Sequence, residues 1–216
     1  MTALLRLQNV TVHRRNRLVL DQVNLSVAEG ERVVLRGGIG AGKSTLLLAA
    51  LGLLPLENGE IELLGTPCRR ESEFALARGR VGLLFQDPDD QLLGPTVLED
   101  VELGPLNLGW SAGDAHVAAE TALEQVALIH LADRPIHELS GGEKRLVALA
   151  GLLAMEPKLL LLDEPTVALD EQSSQQILSI LENSGLTLLI ASHDQRLIST
   201  LATRSIMLRA ATLQDQ

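Results

Sequence analysis

Apolar residues along this chain fall into two rhythms. Short runs rich in Val, Ile and Leu recur at Leu4–Val12, Gln22–Ala28, Arg32–Arg36, Glu60–Leu64, Arg80–Phe85, Leu159–Asp163, Thr187–Ala191 and Ser205–Arg209, each short enough for a strand. Longer stretches with helical spacing separate several of them: Ser44–Leu54, Asp114–Ile129, Lys144–Met155 and Glu171–Asn183. The last four strands, with helices between them, predict a parallel α/β arrangement. LLLLD, from Leu159 to Asp163, shows no alternation, as expected for a strand covered on both faces of a parallel sheet. From about Asp87 to Glu156 the strand pattern vanishes, and Gly, Pro and helical segments take over. The expectation is one domain over residues 1–216, with 1–87 and 157–216 forming an α/β core and 88–156 an inserted helical subdomain.

A length of 216 residues suits one large domain, and 46% apolar residues supply its core. That core must be aliphatic, because the chain has no Tyr, one Trp (Trp110) and two Phe (Phe74 and Phe85). A net charge of −10 argues against a nucleic-acid binder, which would carry a basic face. The basic run His13 to Arg17 (HRRNR) is read first as a solvated turn. The single Cys68 excludes an internal disulfide and fits a reducing compartment. The N-terminus lacks the charged and apolar regions of a signal peptide. Gly52 and Pro55 interrupt the longest apolar run, Leu46–Leu56, which is too short to cross a bilayer. A cytoplasmic chain is expected; if it works at a membrane, another polypeptide spans it.

The segment GGIGAGKST contains Gly37, Gly38, Ile39, Gly40, Ala41, Gly42, Lys43, Ser44 and Thr45. It follows the strand ERVVLR, opens a helix and fits G-x-x-x-x-G-K-[ST]. Glycines let successive amides point inward, which makes a phosphate nest at a helix N-terminus. Lys43 would reach the β- and γ-phosphates, and the Ser44 hydroxyl would ligate Mg2+.

The LLLLD strand ends in two acids, Asp163 and Glu164, before Pro165. In a parallel sheet the ligand crevice lies at the carboxyl ends of the strands. Asp163 can therefore serve Mg2+, and Glu164 can polarise a water for attack on the γ-phosphate. Gln86 follows RVGLLF and His193 follows TLLIAS, so both should open into that crevice. Gln86 could ligate Mg2+ or orient water; His193 could bond the γ-phosphate. Further along, Ser140 and Glu143 in ELSGGEK form a capping box ahead of an apolar helix. Such a box needs no glycine, and each helical Gly costs about 1 kcal/mol relative to Ala, so Gly141 and Gly142 require another reason.

Taken in order, GGIGAGKST, Gln86, LSGGE, LLLLDEP, the Ala168–Asp170 segment and His193 resemble the motif set of ABC-type ATPases: phosphate loop, Q-loop, signature, magnesium-site strand, D-loop and switch histidine. The resemblance spans almost the whole chain. It implies a P-loop NTPase fold, with a RecA-like core on a parallel sheet, N-terminal antiparallel strands and an inserted α-helical subdomain. It further implies ATP and Mg2+ as cofactors and a head-to-tail dimer enclosing two ATP molecules, either a homodimer or a heterodimer with a paralogous ATPase. One domain cannot fold both its phosphate loop and its signature onto the same ATP in that architecture. Ser140, Gly141 and Gly142 would then meet the γ-phosphate of the partner's nucleotide.

A narrower resemblance lies in FQDPDDQLLGPTVLEDV followed by GPLNLG, from Phe85 to Gly109. It is similar to the Q-loop region of energy-coupling-factor importer ATPases, which serve uptake of cobalt, nickel or vitamins. There the region docks a transmembrane coupling subunit, which implies that this chain works as a peripheral ATPase on the cytoplasmic face of the cell membrane. A conventional ABC transporter ATPase is the alternative, and a soluble relative acting on nucleic acid or ribosomes is a further one. Gly38 and Ile39 depart from the family's Pro and Asn, and Glu143 from the commoner Gln. The family's adenine-stacking aromatic is missing; its aligned place falls near His13 or Arg14. A guanidinium can stack on a base, so Arg14 is the candidate, with a loosely held adenine as the alternative.

Overall fold

The computed structural model describes residues 2–215. A hairpin opens the chain, β1 (Ala3–Arg14) and β2 (Arg17–Ala28), followed by β3 (Arg32–Arg36), α1 (Lys43–Ala50), β4 (Asn58–Leu63), β5 (Thr66–Cys68), α2 (Glu71–Arg78) and β6 (Val81–Leu84). Three helices follow, α3 (Val97–Asn107), α4 (Ala112–Gln125) and α5 (Gly141–Leu153). The chain then alternates through β7 (Leu159–Asp163), α6 (Glu171–Asn183), β8 (Thr187–Ala191), α7 (Gln195–Leu201), β9 (Arg204–Arg209) and β10 (Thr212–Asp215).

Two sheets result. One is antiparallel, in the order β2-β1-β4-β5; the other runs β10-β9-β3-β8-β7-β6, parallel throughout except at the edge hairpin of β9 and β10. The four strands expected to be parallel all lie in it, with β3 inserted between β8 and β9.

Alternation along the parallel strands divides the core in two. Val33, Leu35, Leu159, Leu161, Leu189 and Ala191 point to one side, where α1, α2 and the antiparallel sheet cover them. Val34, Leu160, Leu162, Leu188 and Ile190 point to the other, beneath α5, α6 and α7. The buried Leu residues of β7 thus serve two cores at once, which is why LLLLD shows no polar alternation. Burying each such leucine contributes about 1.5–3 kcal/mol. Residues 85–158 hold α3, α4 and α5, and the pairing described there is a single bridge, Thr96 with Pro135.

Several elements depart from the sequence reading. The basic run is not one solvated turn: His13 and Arg14 end β1, Arg17 begins β2, and only Arg15 and Asn16 turn, both with left-handed φ. The helix expected over Ser44–Leu54 stops at Ala50, and that expected over Asp114–Ile129 stops at Gln125, ahead of Ala127 with φ 54°. The helix expected from Lys144 begins three residues earlier, at Gly141, because Ser140 is its N-cap. Helices α2, α3 and α7, and strands β5 and β10, were not anticipated.

Candidate functional site

The carboxyl ends of β3, β6, β7 and β8 converge on one open groove of about 810 Å³. Arg14, Ile39, Gly40, Ala41, Gly42, Lys43, Ser44, Thr45, Gln86, Asp163, Glu164 and His193 all line it. Residues from Arg14 to His193 thus line one groove, whereas Gly37 and Gly38 of the expected loop do not. A second groove, about 590 Å³, shares Ser44, Gln86 and Asp163 with the first and is lined by Gly141 and Arg145 beyond them.

At the loop end, Gly42 is the N-cap of α1 with φ +106°. A Cβ there would lie 2.8 Å from the Val19 side chain. Glycine is required both by the left-handed backbone and by the close approach of β2. Lys43 is buried and folds back on its own loop, donating to the carbonyls of Gly37 at 2.9 Å and Gly38 at 3.5 Å. Ile39, at the loop tip, is fully exposed.

The two acids at the end of β7 have different surroundings. Asp163 is buried, and its Oδ1 has no hydrogen-bond partner. Burial pushes its carboxyl above the usual range; the neighbouring Glu164 adds to that, while the Ser44 hydroxyl, Lys43 and Arg145 pull it back. An orphaned buried carboxylate oxygen beside a serine hydroxyl fits a hard cation that takes oxygen ligands, as Mg2+ does. Glu164 sits at φ 47°, a conformation costing a non-glycine residue about 1–2 kcal/mol. Its amide donates to Ala191 O at 2.8 Å, fixing the turn. The carboxylate then spans two partners, Lys43 Nζ at 3.3 Å from Oε1 and His193 Nδ1 at 3.0 Å from Oε2. Thr166 Oγ1 donates to Asp194 Oδ2 at 2.9 Å, tying the turns after β7 and β8 together.

Arg14 lines the groove together with Arg15 and Arg17. His13, the other aligned position, pairs instead with Glu57. None of the three aromatic residues, Phe74, Phe85 and Trp110, lines the groove.

The signature turn is built as a capping box: Glu143 N donates to Ser140 Oγ at 3.3 Å, and Ser140 N to Glu143 Oε2 at 2.7 Å. Its two glycines differ. A Cβ on Gly141 would meet nothing within 4 Å, whereas one on Gly142 would overlap the Ser173 hydroxyl and lie 3.0 Å from Ser173 Cβ and 3.3 Å from Asp170 Oδ2. Gly142 therefore has a reason within the chain, its packing on the first turn of α6. Neither Ser140 nor Gly142 lines either groove.

Sequence reasoning passed over Arg145, Gln91 and Lys144. Arg145 is 3% exposed, and the available signal was a charged residue inside the otherwise apolar helix RLVALAGLLAM. Its partners lie some sixty residues away and could not be read from the sequence.

The sequence profile described as ABC transporter matches residues 20–167. An uncharacterized ABC transporter ATP-binding protein of Haemophilus influenzae is 45% identical over 205 residues, covering 95% of this chain and 94% of the relative. The cobalt import ATP-binding protein CbiO of Rhodobacter capsulatus is 46% identical over 194 residues, 88% of this chain and 69% of that one. Among solved structures, an ATP-binding cassette dimer in a post-hydrolysis state with ADP and Pi superposes with a TM-score of 0.86 at 28% identity, covering 98% of each chain.

Proposed function

The chain belongs to the ABC transporter family as an ATP-hydrolysing subunit that uses ATP and Mg2+, and from this we propose that it energises an energy-coupling-factor-type importer of a micronutrient. The observation that carries the catalytic reading is the convergence of Lys43, Ser44, Gln86, Asp163, Glu164 and His193 on one groove.

The geometry supports a role for each residue. The amides of Gly37 to Thr45 and the Lys43 ammonium bind the phosphates. Ser44, Asp163 and Gln86 would hold the magnesium ion, which supplies charge that neutralises the phosphate oxygens. Glu164 takes the proton of the attacking water, and His193, bonded to Glu164, orients it and faces the γ-phosphate. Arg14 lies against the base.

The dimeric cassette that superposes on this chain supports a head-to-tail pair, of like chains or of paralogues, in which Ser140, Gly141 and Gly142 close on the partner's nucleotide. Residues 88–156 would move against the core formed by 1–87 and 157–216 during that closure. Among the described residues no helix is long and apolar enough to cross a membrane, and the crossing is assigned to a transmembrane subunit. Its docking surface is the segment Gln86–Gly109, which exposes Leu93 (81%), Leu103, Leu106 and Leu108. The protein would thus sit peripherally on the cytoplasmic face. Similarity to a cobalt import subunit supports a metal ion such as cobalt or nickel over a vitamin as cargo.

Affinity purification of the tagged chain from detergent-solubilised membranes tests this. Recovery of an energy-coupling-factor transmembrane subunit, lost when Leu93 and Leu106 are both changed to Glu, is the expected result. Recovery of conventional ABC permease subunits instead would reassign the transporter class.

A further inference from the structure

Resting on that reading, we propose that Arg145 is a positioning residue that makes the segment Phe85–Gln91 part of helix α5 rather than of strand β6. Strand β6 is the edge of the parallel sheet and ends at Leu84, so the carbonyls of Phe85 and Gln86 lie beyond its ladder. The Arg145 guanidinium donates one N–H to each of them. A planar fork reaching two successive carbonyls fixes the orientation of that peptide as a single donor could not.

Two further side chains fasten the same segment to the same helix. Gln91 Oε1 accepts from Phe85 N at 3.2 Å while its Nε2 donates to Ala148 O at 3.1 Å. Lys144 Nζ lies 2.6 Å from Asp89 Oδ1. Arg145 is the buried member of this set, and it lines the groove that holds Ser44, Asp163, Gln86 and Gly141. Its stem lies in the helix whose first turn is Gly141–Glu143, and its head lies at the backbone of Gln86. A displacement of α5 therefore carries Gln86 with it, changing the Mg2+ ligand set when the signature turn moves.

Arg145→Met keeps the volume of the stem and removes every donor. We expect kcat to fall about 100-fold, the scale of a misplaced catalytic group, and half-maximal rate to need about tenfold more Mg2+. ATP affinity measured in EDTA should stay within about twofold of wild type. Amide hydrogen exchange on the nucleotide-free chain reads the brace without turnover. Residues 85–91 should exchange at least about tenfold faster in the variant, while β7 and the middle of α5 keep their protection. Arg145→Lys, which retains the cation but one donor head, should restore protection only in part. Unchanged exchange in 85–91, or a loss of ATP affinity in EDTA or of folding that parallels the loss of kcat in both variants, would overturn the assignment. Absence of hydrolysis by the wild-type chain would count against the transporter reading alone.

Discussion

Glu164 Oε1 lies 3.3 Å from Lys43 Nζ, so the carboxylate that would take a proton from water neutralises the ammonium that would bind phosphate. With Oε2 at 3.0 Å from His193 Nδ1, Glu164 is held from both sides. In the proposed mechanism a phosphate in the loop would compete with Glu164 for Lys43, leaving one carboxylate oxygen for a water.

Glu164→Gln keeps the shape but removes the base and replaces one acceptor oxygen with an NH2 donor. ATP binding should be retained, the dimer should accumulate in the presence of ATP, and turnover should fall by about 100-fold or more. Steady-state phosphate release together with size-exclusion chromatography checks both effects; turnover within a few-fold of wild type would remove Glu164 from its role.

The two signature glycines separate cleanly. Gly141→Leu enters open space, so the melting temperature and the ATP affinity of the monomer should be unchanged while ATPase activity is lost through failed closure. Gly142→Ala places a methyl against Ser173 and should cost about 1–3 kcal/mol of stability through overpacking. Thermal denaturation distinguishes them, and full ATPase activity in Gly141→Leu would refute its place in the dimer.

Arg14→Ala should weaken ATP binding about two- to fivefold, the worth of an exposed cation–π contact. With no Phe, Tyr or Trp lining the groove, GTP should compete with ATP comparably in the wild-type chain. Competition binding measures both; an unaltered affinity in the variant would remove Arg14 from the base.

The hydrogen bonds from the Ser140 amide and hydroxyl hold the Glu143 carboxyl below its ordinary range, with the charges of Arg134 and His130 assisting against slight desolvation. A lowered folded-state value means stability present above the unfolded carboxylate range and lost as pH falls through the lowered one. Glu143→Gln should therefore melt lower than wild type at neutral pH and equal to it at strongly acidic pH. A difference that persists or grows in acid would contradict the charge-based origin.

Much of the site could be read in advance because each part announces itself locally. A loop of glycines before Lys43, acids at the end of an apolar strand and a capping box are all short-range chemistry. Elements that escaped are those whose stability is tertiary. Helix α3 carries Pro105 within its span and reads as a loop, yet Val97 and Val101 bury completely against α4 and α5. Helices α2 and α7 are too short to show a period. Gly142 against Ser173, and Arg145 on the Phe85 and Gln86 carbonyls, are contacts between distant segments; no spacing rule reaches them.

Val19 lies against the position where a Gly42 Cβ would stand, and five residues before it on the same hairpin is Arg14. One β-hairpin thus carries both the contact to Gly42 and the arginines that line the groove. If Arg14 lies against the base as proposed, that hairpin would set the distance between the two ends of a bound nucleotide, and base identity would matter less than length.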